Sequence, residues 1–290
     1  RSRGLGDVYK RQLLNRLIEQ KVSITSRKSQ TTRNNILGIK TKDNHQMVFI
    51  DTPGVHINAS KVMNKVLNQS ALGAIEDADL IIFMLQRNKI NTLDELILER
   101  LKGVETRKIC VINKLDQVAS INSLLPVVEK LRSENDFSEI IPVSAKTGKN
   151  INELENMICQ NLPENNHLYD SETKFLAKES FMISEIIREK IIRFLGEELP
   201  HETYVQLQKL EDKENIINID AEIIVARESQ KGIVVGKNGA KLKKIGEKAR
   251  IDLEKFFNKK VFLKTWVKTK KNWNNDSDFI SSLGIGSLYD

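Results

Sequence analysis

The stretch Lys108-Ile109-Cys110-Val111-Ile112, running straight into Asn113-Lys114-Leu115-Asp116, decides the fold. An apolar run with no polar alternation is buried on both faces, the habit of a strand in a parallel sheet covered by helices. The same arrangement recurs on either side. Met47–Ile50 ends in Asp51-Thr52-Pro53-Gly54, and Ile140–Val143 ends in Ser144-Ala145-Lys146. Leu80–Leu85 is a fourth apolar run, while 61–74, 93–102, 121–134 and 151–160 carry helical spacing. Strands alternating with helices predict an α/β domain with a mostly parallel sheet. In such sheets ligands bind outside the carboxyl ends of the strands, where all three polar motifs fall.

Each motif has a chemistry. A carboxylate at Asp51 can hold Mg²⁺ through a water, and the Gly54 backbone N–H can meet a γ-phosphate. Taken alone, Pro53-Gly54 reads equally as a turn. The carboxylate of Asp116 can accept from both guanine N1–H and the exocyclic amine. Adenine lacks that donor pair, so the contact favours GTP over ATP. As a purely structural residue Asp116 could instead cap a helix. The Lys114 stem can cover the base plane, and the backbone N–H groups of Ser144, Ala145 and Lys146 can meet the guanine carbonyl. Singly these signals are weak. Together, in this order and each at a strand end, they define a guanine-nucleotide site.

The second half reads differently. Residues 181–195 are helical, 203–210 and 216–225 form a strand pair, and 231–235 is a short helix. Gly236-Lys237-Asn238-Gly239 is a loop, 240–257 a long basic helix and 261–268 a strand, giving the order α-β-β-α-α-β. The predicted boundaries are a first domain over 1–165, a polar linker over 166–175 and a second domain over 176–290. The formal net charge of the 290-residue chain is +7, yet residues 231–271 alone hold 14 Lys+Arg against three acids. Such a block marks a polyanion-binding surface unless it is merely a solvated helix face. A G-x-x-G turn lets a nucleic-acid backbone approach closely, and Lys241, Lys243 and Lys244 crowd it together with Lys237. Ile233 and Val234 are apolar candidates for the adjoining base-reading groove. Trp266 and Trp273 are candidate stacking platforms, Trp266 more plausibly core.

Composition excludes several classes. Forty per cent hydrophobic and 29% charged residues are ordinary for globular protein, and no apolar run is long enough to span a bilayer. Two cysteines, Cys110 and Cys159, cannot make a disulfide framework, so a reducing cytoplasm is expected. The four histidines have no metal-ligand spacing.

The first three motifs resemble those of translation-factor-type GTPases, a P-loop NTPase-type fold. Gln30-Thr31-Thr32-Arg33 looks like the switch I segment of that class, which implies Thr32 as a Mg²⁺ ligand beside Asp51. Val55 stands where Ras-like enzymes place a water-orienting Gln. That resembles the subgroup whose slow hydrolysis relies on something else, with K⁺ a candidate. The α-β-β-α-α-β order around Gly236–Gly239 resembles an α+β type II KH domain. One G domain followed by such a KH domain resembles the bacterial Era family of GTPases, and Ser184–Lys190 and Phe194–Pro200 look like its interdomain helix. The resemblance implies GTP/GDP and Mg²⁺ as cofactors. It also implies 16S ribosomal RNA near its 3′ end and the 30S subunit as partners, and a role in 30S maturation. A monomeric, cytoplasmic protein in peripheral contact with the inner face of the cell membrane is the further implication.

One departure stands out. A P-loop, G-x-x-x-x-G-K-[ST], should precede Leu13. Gly4 and Lys10 fall at the right spacing, but Tyr9 replaces the second Gly and Arg11 replaces the Mg²⁺-binding Ser/Thr. Residues 1–12 therefore read as foreign to the chain from Leu13 onward, and weak GTP binding is expected. Two rival functions stay open: an RNA-binding module with a nucleotide-incompetent G domain, and a different ribosome-assembly or tRNA-modification GTPase. The Gly236–Gly239 loop argues against a tRNA-modifying protein, and the single Asn-Lys-x-Asp argues against a tandem GTPase.

Overall fold

The apolar run before Asn113 forms strand β4 (Arg107–Asn113), buried from Lys108 to its end. It lies in a parallel sheet between β3 (Leu80–Gln86) and β5 (Glu139–Pro142). The computed structural model describes residues 5–19, 36–52, 61–87, 89–176, 178–195, 202–283 and 285. Ile109 and Val111 of β4 face one core, with Leu13 and Leu17 of α1 (Leu5–Ile18) and Leu154 and Ile158 of α5 (Ile151–Asn161). Cys110 and Ile112 face the other, with Leu98 and Leu101 of α3 (Thr92–Leu101) and Leu131 of α4 (Leu125–Glu134). Burial on both faces is the reason the strand carries no polar alternation.

A second sheet of this unit has the order β2-β1-β6 and is antiparallel: β1 (Ile36–Lys42), β2 (His45–Asp51) and the two-residue β6 (Phe175–Leu176). Helix α2 spans Val62–Glu76. Gly38 admits α1, since a Cβ there would stand 2.1 Å from Ile18 Cδ1. Helix α3 begins on a capping box: Asn91 Oδ1 accepts from the Leu93 and Asp94 N–H groups, and Asp94 accepts from the Asn91 N–H. The helix expected over 121–134 is instead a 3₁₀ turn (Ile121–Leu124) followed by α4, with Pro126 in its first turn.

The main division of the chain falls between Leu176 and Ala177. Residues 166–175, expected as a linker, fall within the first unit. Gln46 accepts from the Leu168 and Tyr169 N–H groups, at 2.8 and 2.9 Å, and donates to the Tyr169 carbonyl at 2.8 Å. The Ile39 N–H donates to the Lys174 carbonyl at 2.8 Å. A polar, aperiodic segment has satisfied its backbone on the first unit rather than in solvent.

The second unit follows the order α6 (Glu179–Phe194), β7 (Thr203–Asp212), β8 (Ile216–Val225), α7 (Glu228–Val235), α8 (Ala240–Phe257), β9 (Lys260–Thr269) and α9 (Ser277–Ser282). Strand β8 is central, antiparallel to β7 and parallel to β9. Its alternate residues Ile217, Ile219, Ala221, Ile223 and Val225 meet Ile183, Ile187 and Ile191 of α6 and Ile245, Ala249 and Leu253 of α8. The four-residue spacing in both helices is the apolar stripe that pins them to one face of the sheet.

Candidate nucleotide and RNA-binding sites

Asn113 ends β4 with its side chain buried, and its Oδ1 ties two motifs together. It accepts from the Lys114 N–H at 2.7 Å and from the Ala145 N–H at 3.0 Å. Lys114 takes a left-handed turn, φ 68°, which carries the Leu115 N–H to the Val143 carbonyl at 2.9 Å. Such a turn is costly for a residue with a Cβ and persists because the Asn113 clamp holds it. Ser144 is fully buried. Its hydroxyl donates to Asp116 Oδ1 at 2.6 Å and accepts from the Thr147 N–H at 3.1 Å.

Asp116 is thus held by Ser144 while remaining exposed. It is not a helix cap: the short 3₁₀ turn Leu115–Gln117 starts from Lys114 and has no side-chain cap. Asn113, Lys114, Leu115, Asp116, Ser144 and Ala145 stand together, with Lys146 beside them. Thr31, Thr32, Pro53, Gly54 and Val55 lie outside the described residues.

The N-terminal helix brings further residues to this site, among them Arg16, which no sequence motif marks. Lys114 Nζ donates to Gln86 Oε1 at 3.0 Å and lies 3.5 Å from the centroid of the Tyr9 ring. Arg16 donates to the carbonyls of Ala145 and Lys146, at 3.3 and 2.8 Å. Lys10 Nζ donates to the Thr52 carbonyl at 3.0 Å. Arg11 Nε stands 3.7 Å from Asp51 Oδ2, with side-chain exposures of 2% and 4%. The carboxylate expected to hold Mg²⁺ therefore faces a buried guanidinium.

In the second unit, α7 ends at Gly236, whose φ of 72° and ψ of 176° belong to a region open essentially to glycine alone. A Cβ there would stand 2.9 Å from Lys241 Cβ and 2.8 Å from its Cγ. Gly239, φ 77°, turns the chain into α8 with open space where a Cβ would be. Lys237, Asn238, Lys241, Lys243 and Lys244 are all exposed around this turn. Ile233 is 43% exposed beside it, whereas Val234 is core. Trp273 is also core: it is fully buried, and its Nε1 donates to the Glu202 carbonyl at 3.1 Å. Trp266 is half-buried on β9, with its indole N–H on Glu222 at 2.9 Å.

Both halves of the chain match known families. Residues 4–114 match the 50S ribosome-binding GTPase family, and residues 198–274 match the KH domain family. GTPase Era of Coxiella burnetii (strain Dugway 5J108-111) is 44% identical over 282 residues, which are 97% of this chain and 95% of that protein. GTPase Era of Pasteurella multocida (strain Pm70) is 42% identical over 97% of this chain and 92% of its own length. Among solved structures, Aquifex aeolicus Era bound to GDP·AlF4⁻ superposes with a TM-score of 0.92 at 34% identity, covering 97% of this chain and 96% of that one. Era in complex with MgGDPNP and nucleotides 1506–1542 of 16S ribosomal RNA superposes with a TM-score of 0.93 at 34% identity, covering 98% and 97%. With identities above 40% across nearly its full length, and a G domain and KH domain in the same order, this chain belongs to the GTPase Era family.

Proposed function

We propose that this chain binds small-subunit ribosomal RNA near its 3′ end and acts in 30S maturation. GTP or GDP is the nucleotide that its first unit selects. The observation that carries the reading is the pairing of a guanine-reading Asp116, aimed by Ser144, with an exposed Gly236–Gly239 turn ringed by lysines in the same chain. In the nucleotide site Asn113 and Ser144 shape the pocket and Asp116 selects the base. Lys114 and the Ser144–Lys146 backbone border the base, and Asp51 to Val55 with Thr31 and Thr32 respond to the phosphates. Because Tyr9 and Arg11 depart from a phosphate cradle, the affinity for GTP should be low.

In the RNA site, Gly236 and Gly239 bring the RNA backbone close while Lys237, Lys241, Lys243 and Lys244 neutralise its phosphates. Ile233 borders the bases. No helix among the described residues is long and apolar enough to cross a membrane. The family resemblance extends the proposal to a monomer in peripheral contact with the inner membrane. The test is the salt dependence of binding to a labelled 3′-terminal 16S RNA segment. Lys237→Glu together with Lys241→Glu should lower the slope of log affinity against log salt by about 0.7 per lost contact. An unchanged slope would place the RNA elsewhere.

A further inference from the structure

We propose that Arg16 is a positioning residue for guanine recognition: by gripping two consecutive carbonyls it orients the Lys146 N–H for the base. The proposal rests on the reading of Asp116 and Ser144–Lys146 as the guanine site. Arg16 Nε donates to the Ala145 carbonyl at 3.3 Å, and its Nη2 donates to the Lys146 carbonyl at 2.8 Å. The guanidinium also lies beside Gly148, φ 87°, where a Cβ would stand 3.9 Å from Arg16 Cζ. One planar fork thus holds the loop that follows Ser144, as a single-point ammonium could not. Its base is firm, because Leu13, Leu14 and Leu17 of α1 are each no more than 7% exposed.

The consequence follows from the peptide bond. The Ala145 carbonyl and the Lys146 N–H belong to one trans peptide unit, in which C=O and N–H point in opposite directions. A donor that fixes the carbonyl on the Arg16 side therefore fixes the N–H on the other side. That N–H is the one this turn has left to give. The Ala145 N–H is committed to Asn113 Oδ1 at 3.0 Å, and the Thr147 N–H to Ser144 Oγ at 3.1 Å. Among the described residues the Lys146 N–H has no acceptor. A positive charge on the carbonyl also polarises the same peptide unit and strengthens its N–H as a donor. The guanine carbonyl would thus meet an oriented donor while Asp116 takes the N1–H and the amine.

The test measures dissociation constants of the full chain for GDP, ADP and 6-thio-GDP by ligand-observed NMR, which reaches the weak range expected here. 6-Thio-GDP keeps the N1–H and amine that Asp116 reads but puts sulfur, a weaker acceptor, in place of the carbonyl oxygen. The parent should prefer GDP to both. Arg16 is itself exposed, so Arg16→Ala leaves the packing of α1 in place. That variant should weaken GDP about five- to tenfold and 6-thio-GDP less than about twofold, so that the preference for oxygen shrinks. Arg16→Lys, which keeps one charged donor, should recover part of the loss. A GDP affinity unchanged in Arg16→Ala, or an equal loss for the two guanine nucleotides, would overturn the proposal and leave the role of Asp116 standing. A parent that binds GDP no more tightly than ADP would remove the reading of Asp116, and the proposal with it.

Discussion

Replacing Asn113 by Ala removes one side-chain oxygen and leaves two buried N–H donors, those of Lys114 and Ala145, without an acceptor. Each such donor costs about 1–3 kcal/mol. The left-handed turn at Lys114 loses the contact that holds it, adding about 1 kcal/mol. The weak contact from Nδ2 to Met84 Sδ, at 3.6 Å, is lost too but changes little. The expected total is about 4 kcal/mol, or roughly 8–16 °C in Tm for a unit of this size. Thermal unfolding by circular dichroism reads it directly. Asn113→Asp keeps the acceptor oxygen and should fall less than half as far. Binding of a fluorescent guanine nucleotide should weaken or vanish in Asn113→Ala, because Ser144 and Ala145 are no longer held against Asp116. A Tm within about 2 °C of the parent would refute the claim that Asn113 clamps the two motifs.

Gly236→Ala should destabilise the second unit more than Gly239→Ala. Both need positive φ, but only Gly236 has Lys241 Cβ in the way, and chemical denaturation of the two variants orders them. Burial pushes the Cys110 thiol up to about 12, and Cys159, half-buried, is raised in the same direction by burial and by Glu155. The folded chain should therefore take up at most one alkyl group near pH 8 by mass spectrometry, and the denatured chain two. For Glu155, burial raises the pKa but is outweighed by the hydrogen bonds and charges of Lys40 and Lys42, so the carboxyl sits below its ordinary range. A depressed folded pKa gives stability that is present above the unfolded value and lost as pH falls through the folded one. Acid unfolding followed between about pH 5 and 3 should thus be steeper in the parent than in Glu155→Gln.

Much of this architecture was legible because periodicity and motif position agreed. The runs at 80–85 and 108–112 read as strands because they are short, rich in Ile and Val and end in polar motifs, which favours a strand with cores on both sides over a buried helix. The α-β-β-α-α-β order emerged element by element, with the helix over 240–257 read to its bounds. The guanine motifs were found because their chemistry sits at strand ends. Other features left fainter signals. Strand β1 carries a Gly and a Lys-Thr-Lys end, and its one mark was the Asp43-Asn44 turn, with Asp43 at φ 51°. Two-residue β6 has no periodicity to read, so its neighbours looked like a linker. Trp273 follows a run of lysines and asparagine, and only tertiary packing places it in the core. Motif spacing set Arg11 where a Mg²⁺-binding hydroxyl was expected, but the burial of its guanidinium against Asp51, 40 residues on, is written in the packing of α1.

The central claim, a family member whose KH turn grips one end of small-subunit RNA, is tested most directly by equilibrium binding of the full chain to two RNAs of equal length and composition. One is the 3′-terminal 16S segment and the other its shuffled sequence, both at physiological salt. Binding to the 3′-terminal segment should be at least about tenfold tighter. Lys237→Glu with Lys241→Glu should weaken both RNAs alike, since phosphate contacts carry no sequence. Equal affinity of the unmodified chain for the two RNAs would contradict it.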